Sequence, residues 1–252
     1  MALGDSTTEG LEDPYPDGPG YRGFADRLAE RLAALDPSVL YANLAIRGRK
    51  AAQIHEEQLE PALAMRPDLA SVVGGVNDIL RPKVDLAEVT GHLEAMVAAL
   101  RGIGATVLML TYPDPAKVMP VARGASGRVA AFNDTLREIA ARHDARLMDL
   151  ARHGVVDARL WHPDRLHANS EGHERIAGAA ADVLGLPDAT PSWRDPLPPA
   201  ERLRLHALLA REAAWTGRHF APWVVRRVRG RSSGDGIPPK RPQLAPVVKD
   251  PA

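Results

Sequence analysis

The chain has 252 residues, 32 Lys plus Arg balanced by 32 Asp plus Glu, and no cysteine. That length builds one main core with an appendage, and a formal charge of zero argues against a nucleic-acid partner or an acidic substrate. The lack of cysteine excludes a disulfide framework, a thiolate zinc site and a cysteine nucleophile.

Apolar runs alternate with amphipathic stretches down to about residue 185, the pattern of a parallel sheet covered by helices on both faces. Met1-Ala2-Leu3 reads as a first strand. It is short against the ~5 to 6 residues usual for strands, which leaves room for a natural start upstream of Met1 and an export signal there. Tyr21, Phe24, Leu28, Leu32 and Leu35 recur at helical spacing until Asp36-Pro37 stops the helix. Strands are expected over Val39 to Ala45, Leu69 to Gly75, Thr106 to Thr111 and Ala145 to Leu150. Helices are expected over Leu86 to Leu100 and Gly127 to Arg142, with a final one starting near Ser170.

Past Leu186, five prolines between Pro187 and Pro199 suggest a linker, which divides residues 1–186 from an appendage over 187–233. Ala200 to Trp215 has the apolar spacing of an amphipathic helix, and a basic run, Arg226 to Arg231, follows it. Trp215, Phe220 and Trp223 are expected to pack this helix on the main domain. From Gly234 a Pro-rich tail, 234–252, is expected to be extended or disordered. No stretch approaches the ~18 apolar residues of a membrane span, and no secretory pattern opens the chain, so a cytoplasmic protein is expected.

Four segments carry chemistry. Gly4-Asp5-Ser6-Thr7-Thr8-Glu9-Gly10 places a serine on a Gly-rich bend just after the first strand. Gly48 follows the second strand, Asn77 lies in Gly74-Gly75-Val76-Asn77-Asp78 after the third, and Asp164-Arg165-Leu166-His167 sets an acid three residues before an imidazole. Ligands of open parallel sheets bind at the carboxyl ends of the strands, so these segments can converge on one rim. A serine hydroxyl needs a neighbouring base, and His167 is the first choice because it has an acid at i−3 and precedes the last helix. His162 and His173 are its rivals. The N–H groups of Ser6 and Gly48 and the side-chain amide of Asn77 could receive the negative charge that builds on an attacked carbonyl.

In this order the four segments resemble the SGNH, or GDSL-type, hydrolase superfamily, over about residues 1 to 185. The resemblance implies a three-layer α/β/α sandwich with a five-stranded, flavodoxin-like parallel sheet. It also implies a GDSL-like acylhydrolase with Ser6, Asp164 and His167 as catalytic triad and Ser6, Gly48 and Asn77 as oxyanion hole, working without metal or organic cofactor on a small-molecule ester. The mixed, Pro- and Gly-rich loops around the site favour a small or polar acyl group. Two other readings stay open: a binding module on the same sandwich, and a metal-dependent hydrolase with His162, Asp164 and His167 as ligands. Asp5 and Asp78 are expected to tie loop backbone by hydrogen bonds.

Overall fold

The computed structural model describes residues 1–16, 18–200, 212–222 and 232–247. In chain order the sheet and its helices are β1 (Ala2–Gly4), α1 (Ser6–Glu9), α2 (Gly23–Leu35), β2 (Leu40–Asn43), α3 (Ala51–Ala64), β3 (Leu69–Val73), α4 (Val76–Ile79) and α5 (Leu86–Gly102). They continue with β4 (Thr106–Leu110), α6 (Ser126–Arg142), β5 (Arg146–Met148), α7 (Ser170–Leu184) and β6 (Arg241–Pro246).

The strands lie in the order β5-β4-β3-β1-β2-β6, and β1 to β5 run parallel. Helix α2 packs beside α7, while α3 packs on α5 and α5 on α6, giving the three layers. Leu3, Phe24, Ile54, Leu108, Phe132 and Met148 are fully buried between them. Burial of such apolar side chains, each worth ~1.5 to 3 kcal/mol, holds the layers together.

Two features depart from expectation. The sheet has six strands where five were expected, because residues 241–246 of the Pro-rich tail pair antiparallel with β2 through Leu40↔Pro246, Tyr41↔Ala245 and Asn43↔Arg241. Proline lacks an N–H and is tolerated on such an edge strand, so Pro242 and Pro246 do not prevent pairing. Helix α3 was also absent from the sequence reading. Its buried face, Ala51, Ile54, Gln58, Leu59 and Ala62, is too small and polar to stand out, and Pro61 lies within it.

β1 is only three residues long, yet its ladder on β3 runs Ala2↔Ser71, Leu3↔Val72 and Gly4↔Val73, with β2 on its other side at Ala2↔Asn43. The terminal ammonium of Met1 extends this ladder by donating to the Leu69 carbonyl at 3.0 Å, and burial pushes its pKa down to about 6. Of the helix expected over Ala200 to Trp215, residues 201–211 lie outside the described residues. Trp223 and Arg226 to Arg231 do so as well.

Candidate active site

β1 delivers the chain directly into the single turn of α1, so Ser6 stands one residue beyond the N-cap Asp5. Asp5 Oδ1 accepts the Thr7 N–H at 3.1 Å, and Gly10, at φ 90°, ends the turn. Gly4 must be glycine, since a Cβ there would meet the Val73 carbonyl oxygen and Thr8 Oγ1, each at 2.3 Å.

The acid and imidazole come from the loop before α7. Asp164 Oδ1 accepts the N–H groups of Leu166, at 2.9 Å, and His167, at 3.1 Å, which folds the segment into a turn. Arg165 at the tip takes φ 63°, the left-handed region, a strained conformation for a residue with a side chain. The turn brings Asp164 Oδ2 to 2.7 Å from His167 Nδ1 and His167 Nε2 to 3.1 Å from Ser6 Oγ. Burial works to raise the Asp164 pKa, but the His167 hydrogen bond and charge, with the two backbone N–H groups, outweigh it and hold the carboxyl well below the usual range. An ionised Asp164 therefore faces the imidazole.

Gly48 and Asn77 lie on the same cavity wall as Ser6. No acceptor among the described residues takes the N–H of Ser6 or of Gly48. Asn77 differs: its Nδ2 donates to Asp5 Oδ2 at 3.2 Å and to the Arg49 carbonyl at 3.1 Å. Asp5 is fully buried, and burial pushes its pKa up to about 6 against the pull of the Thr7 N–H and His167. Asp78 accepts the Ala51 N–H at 3.0 Å and so fixes the start of α3, a longer reach than the loop tie expected for it.

The rival histidines part company with Ser6. His173 is buried between α7 and α2, accepting the Phe24 N–H at Nδ1 and donating from Nε2 to the Leu11 carbonyl, and burial lowers its pKa to about 4. His162 lines the cavity, with Nδ1 accepting the Asp164 N–H at 3.3 Å and Nε2 at 3.2 Å from Glu12 Oε2. Glu12, His162 and Asp164 are close enough together to hold a cation. The two carboxylates address different nitrogens of the ring, however, and Asp164 Oδ2 already receives His167.

Two positioning side chains escaped the sequence reading. Gln58, buried on α3, makes a two-way bond with Gly4, the residue two before Ser6. Glu9, also buried, accepts the Arg47 N–H at 2.7 Å and pairs with the Arg47 guanidinium, which fixes the residue just before Gly48. Only the Ser-Thr-Thr-Glu run beside the serine hinted at Glu9, and nothing in the sequence pointed to Gln58.

The cavity around Ser6 measures about 700 Å³. Its lining includes Trp215, Phe220, Ser232 and Asp235 from the C-terminal segment together with Glu12 and Arg81. The arrangement offers a hydroxyl held by an imidazole, an ionised carboxylate behind that imidazole, and hydrogen-bond donors lining the same cavity.

The profile of the GDSL-like lipase/acylhydrolase family matches residues 2–175. The fold is similar to that of TesA, at 23% identity and a TM-score of 0.60 over 73% of this chain and 96% of that one. It is similar too to Axe2, an acetylxylan esterase from Geobacillus stearothermophilus, at 19% identity and a TM-score of 0.55 over 73% and 93% of the two chains. A third is the psychrotrophic esterase EstA from Pseudoalteromonas sp., at 18% identity and a TM-score of 0.57 over 73% and 94%. No curated protein matches this chain in sequence.

Proposed function

Since the chain belongs to the GDSL-like lipase/acylhydrolase family and is a serine esterase acting on ester bonds, we propose that it works through an acyl-enzyme on Ser6, with His167 as base and acid and Asp164 as the orienting carboxylate. The observation that carries this reading is the line of contacts from Asp164 Oδ2 through His167 to Ser6 Oγ, at 2.7 and 3.1 Å.

In this reading Ser6 Oγ attacks the acyl carbon while its proton passes to His167 Nε2. The carbonyl electron pair moves onto oxygen and is met by the Ser6 and Gly48 N–H groups. Asn77 joins by turning one Nδ2 hydrogen from Asp5 or the Arg49 carbonyl toward the new charge. Collapse breaks the ester C–O bond, and the alcohol leaves with the proton held by His167. Water then gives a proton to His167 and adds to the acyl carbon. Breakdown of that second intermediate releases the carboxylic acid and returns the proton to Ser6. Each oxyanion donor is worth about 3 to 4 kcal/mol in comparable sites.

The charged residues Glu12, Lys50, Arg81 and Asp235 in the cavity lining favour an ester of a small or polar acyl group over a long-chain lipid. Acetylated sugars, the substrates implied by the name of the acetylxylan esterase, join short p-nitrophenyl esters as the first compounds to assay. Among the described residues no helix is long and apolar enough to cross a membrane. Ser6→Ala is expected to remove nearly all turnover of p-nitrophenyl acetate while keeping the melting temperature; turnover retained in that variant contradicts the assignment.

A further inference from the structure

We propose that the C-terminal segment beyond the family-matched region is a working part of the active site, in which Trp215 and Glu212 position the turn that carries Asp164 and His167. The inference rests on the serine reading above and extends the machinery to residues that the family match, ending at 175, does not include.

The segment is held in one register on the main domain. β6 completes the edge of the sheet, and just before it the half-buried Lys240 donates from Nζ to Asp26 Oδ1 at 2.8 Å and to the carbonyls of Tyr21 and Arg22 at 2.9 and 3.0 Å. Asp26 in turn accepts the hydroxyls of Tyr41 and Tyr15. A cation so fully coordinated fixes geometry, because leaving the buried Asp26 without it is costly. Upstream, Gly234 lies so close to the Arg47 carbonyl that a Cβ would fall 2.0 Å from its oxygen. Ser232 Oγ rests over Gly48, 2.2 Å from where a Cβ would stand. The segment thereby backs the loop that presents the Gly48 N–H.

On the other side of the cavity, residues 212–222 form a helix, π-helical over Thr216–Phe220, that meets the catalytic turn. Trp215 is buried, stacked on Phe220, and its Nε1 donates to the Asp164 carbonyl at 3.2 Å. The Arg165 guanidinium lies 4.5 Å over the Trp215 ring and pairs with both Glu212 oxygens, at 2.7 and 2.6 Å. Arg165 is the residue held at φ 63°, between Asp164 and His167. A side-chain-bearing residue in that region stays there only when its surroundings over-determine it. Glu212 and Trp215 add to the hydrogen bonds within the turn in supplying that determination, and a turn released from them would let the His167 ring drift from Ser6. A displacement of about 1 Å can cost about a hundredfold in rate.

Both are positioning residues, so their effect should fall on the reactivity of Ser6 more than on substrate binding. The test measures labelling of Ser6 by a fluorophosphonate, with kcat and KM for p-nitrophenyl acetate and the melting temperature, in the full chain and its Trp215→Phe and Glu212→Gln variants. Trp215→Phe keeps a ring for Arg165 but loses the indole N–H. Each variant is expected to slow labelling and lower kcat by about tenfold, with KM within about twofold. Arg165→Gly, which accepts φ 63° without a clamp, provides a cycle that does not depend on either variant alone. Adding Glu212→Gln to Arg165→Gly should cost nothing further. A wild type that labels on Ser6, with variants that label equally fast, overturns this inference and leaves the serine reading standing. A wild type that does not label overturns both.

Discussion

Gln58 and Gly4 hold each other from both sides: the Gly4 N–H donates to Gln58 Oε1 at 2.8 Å, and Gln58 Nε2 donates to the Gly4 carbonyl at 2.9 Å, both buried. A helix side chain thus finishes the hydrogen bonding of β1 where the chain turns away toward Ser6, which compensates for a strand of only three residues. Gln58→Leu leaves the Gly4 N–H in the interior without its acceptor. It is expected to destabilise the fold by about 1 to 3 kcal/mol in urea denaturation and to lower kcat.

Glu9 acts on the loop that carries Gly48. By accepting the Arg47 N–H it holds the backbone leading into Gly48, whose φ of 76° glycine adopts without strain. Glu9→Ala should lower kcat on p-nitrophenyl acetate by about tenfold, and Glu9→Gln, which keeps an acceptor for that N–H, should recover part of the loss. Equal rates in the two variants would show that the backbone bond does not matter and that the charge does.

Asp5 gives the protein a distinctive pH dependence. Burial raises its pKa from the ordinary 3.8 to about 6, so between those values the folded state binds the proton more tightly than the open chain. Its contribution to stability is therefore fully present below about pH 4 and is lost as pH rises to about 6. Asp164 has the opposite sign: its carboxyl is held down in the folded state, so its contribution is present above the ordinary carboxylate range and is lost as pH falls. Relative to Asp5→Asn, the wild type should lose about 2 kcal/mol between pH 4 and pH 7, read from urea midpoints across that range. A constant difference between the two proteins would contradict a buried, titrating Asp5.

The parts of this molecule legible in the sequence were those with strong local signals. The helix beginning near Gly23 announced itself by apolar spacing and the Asp36-Pro37 stop, the one near Ser170 by its Ser170-Glu171-Gly172 start, and the strands by short apolar runs between turns. Ser6, Asp164 and His167, which lie in contact at 2.7 and 3.1 Å, stood out in the sequence because each falls in a short segment of distinctive residue type and spacing. Helix α3 was hidden by its Ala- and Gln-bearing inner face, and β6 by prolines that usually mark unstructured tails. Gln58 and Glu9 contact their targets across 54 and 38 residues, and no local pattern encodes such pairings. The clamp on Arg165 was invisible for the same reason: the sequence leads one to expect Trp215 to pack against the main domain but names no partner for it.

The central claim concerns which atom becomes acylated, and mass mapping addresses it directly. After reaction with a fluorophosphonate and proteolysis, the account predicts a single adduct on the peptide that contains Ser6, with loss of esterase activity in proportion to labelling. An adduct on any other residue, or full inactivation with Ser6 unmodified, would contradict it.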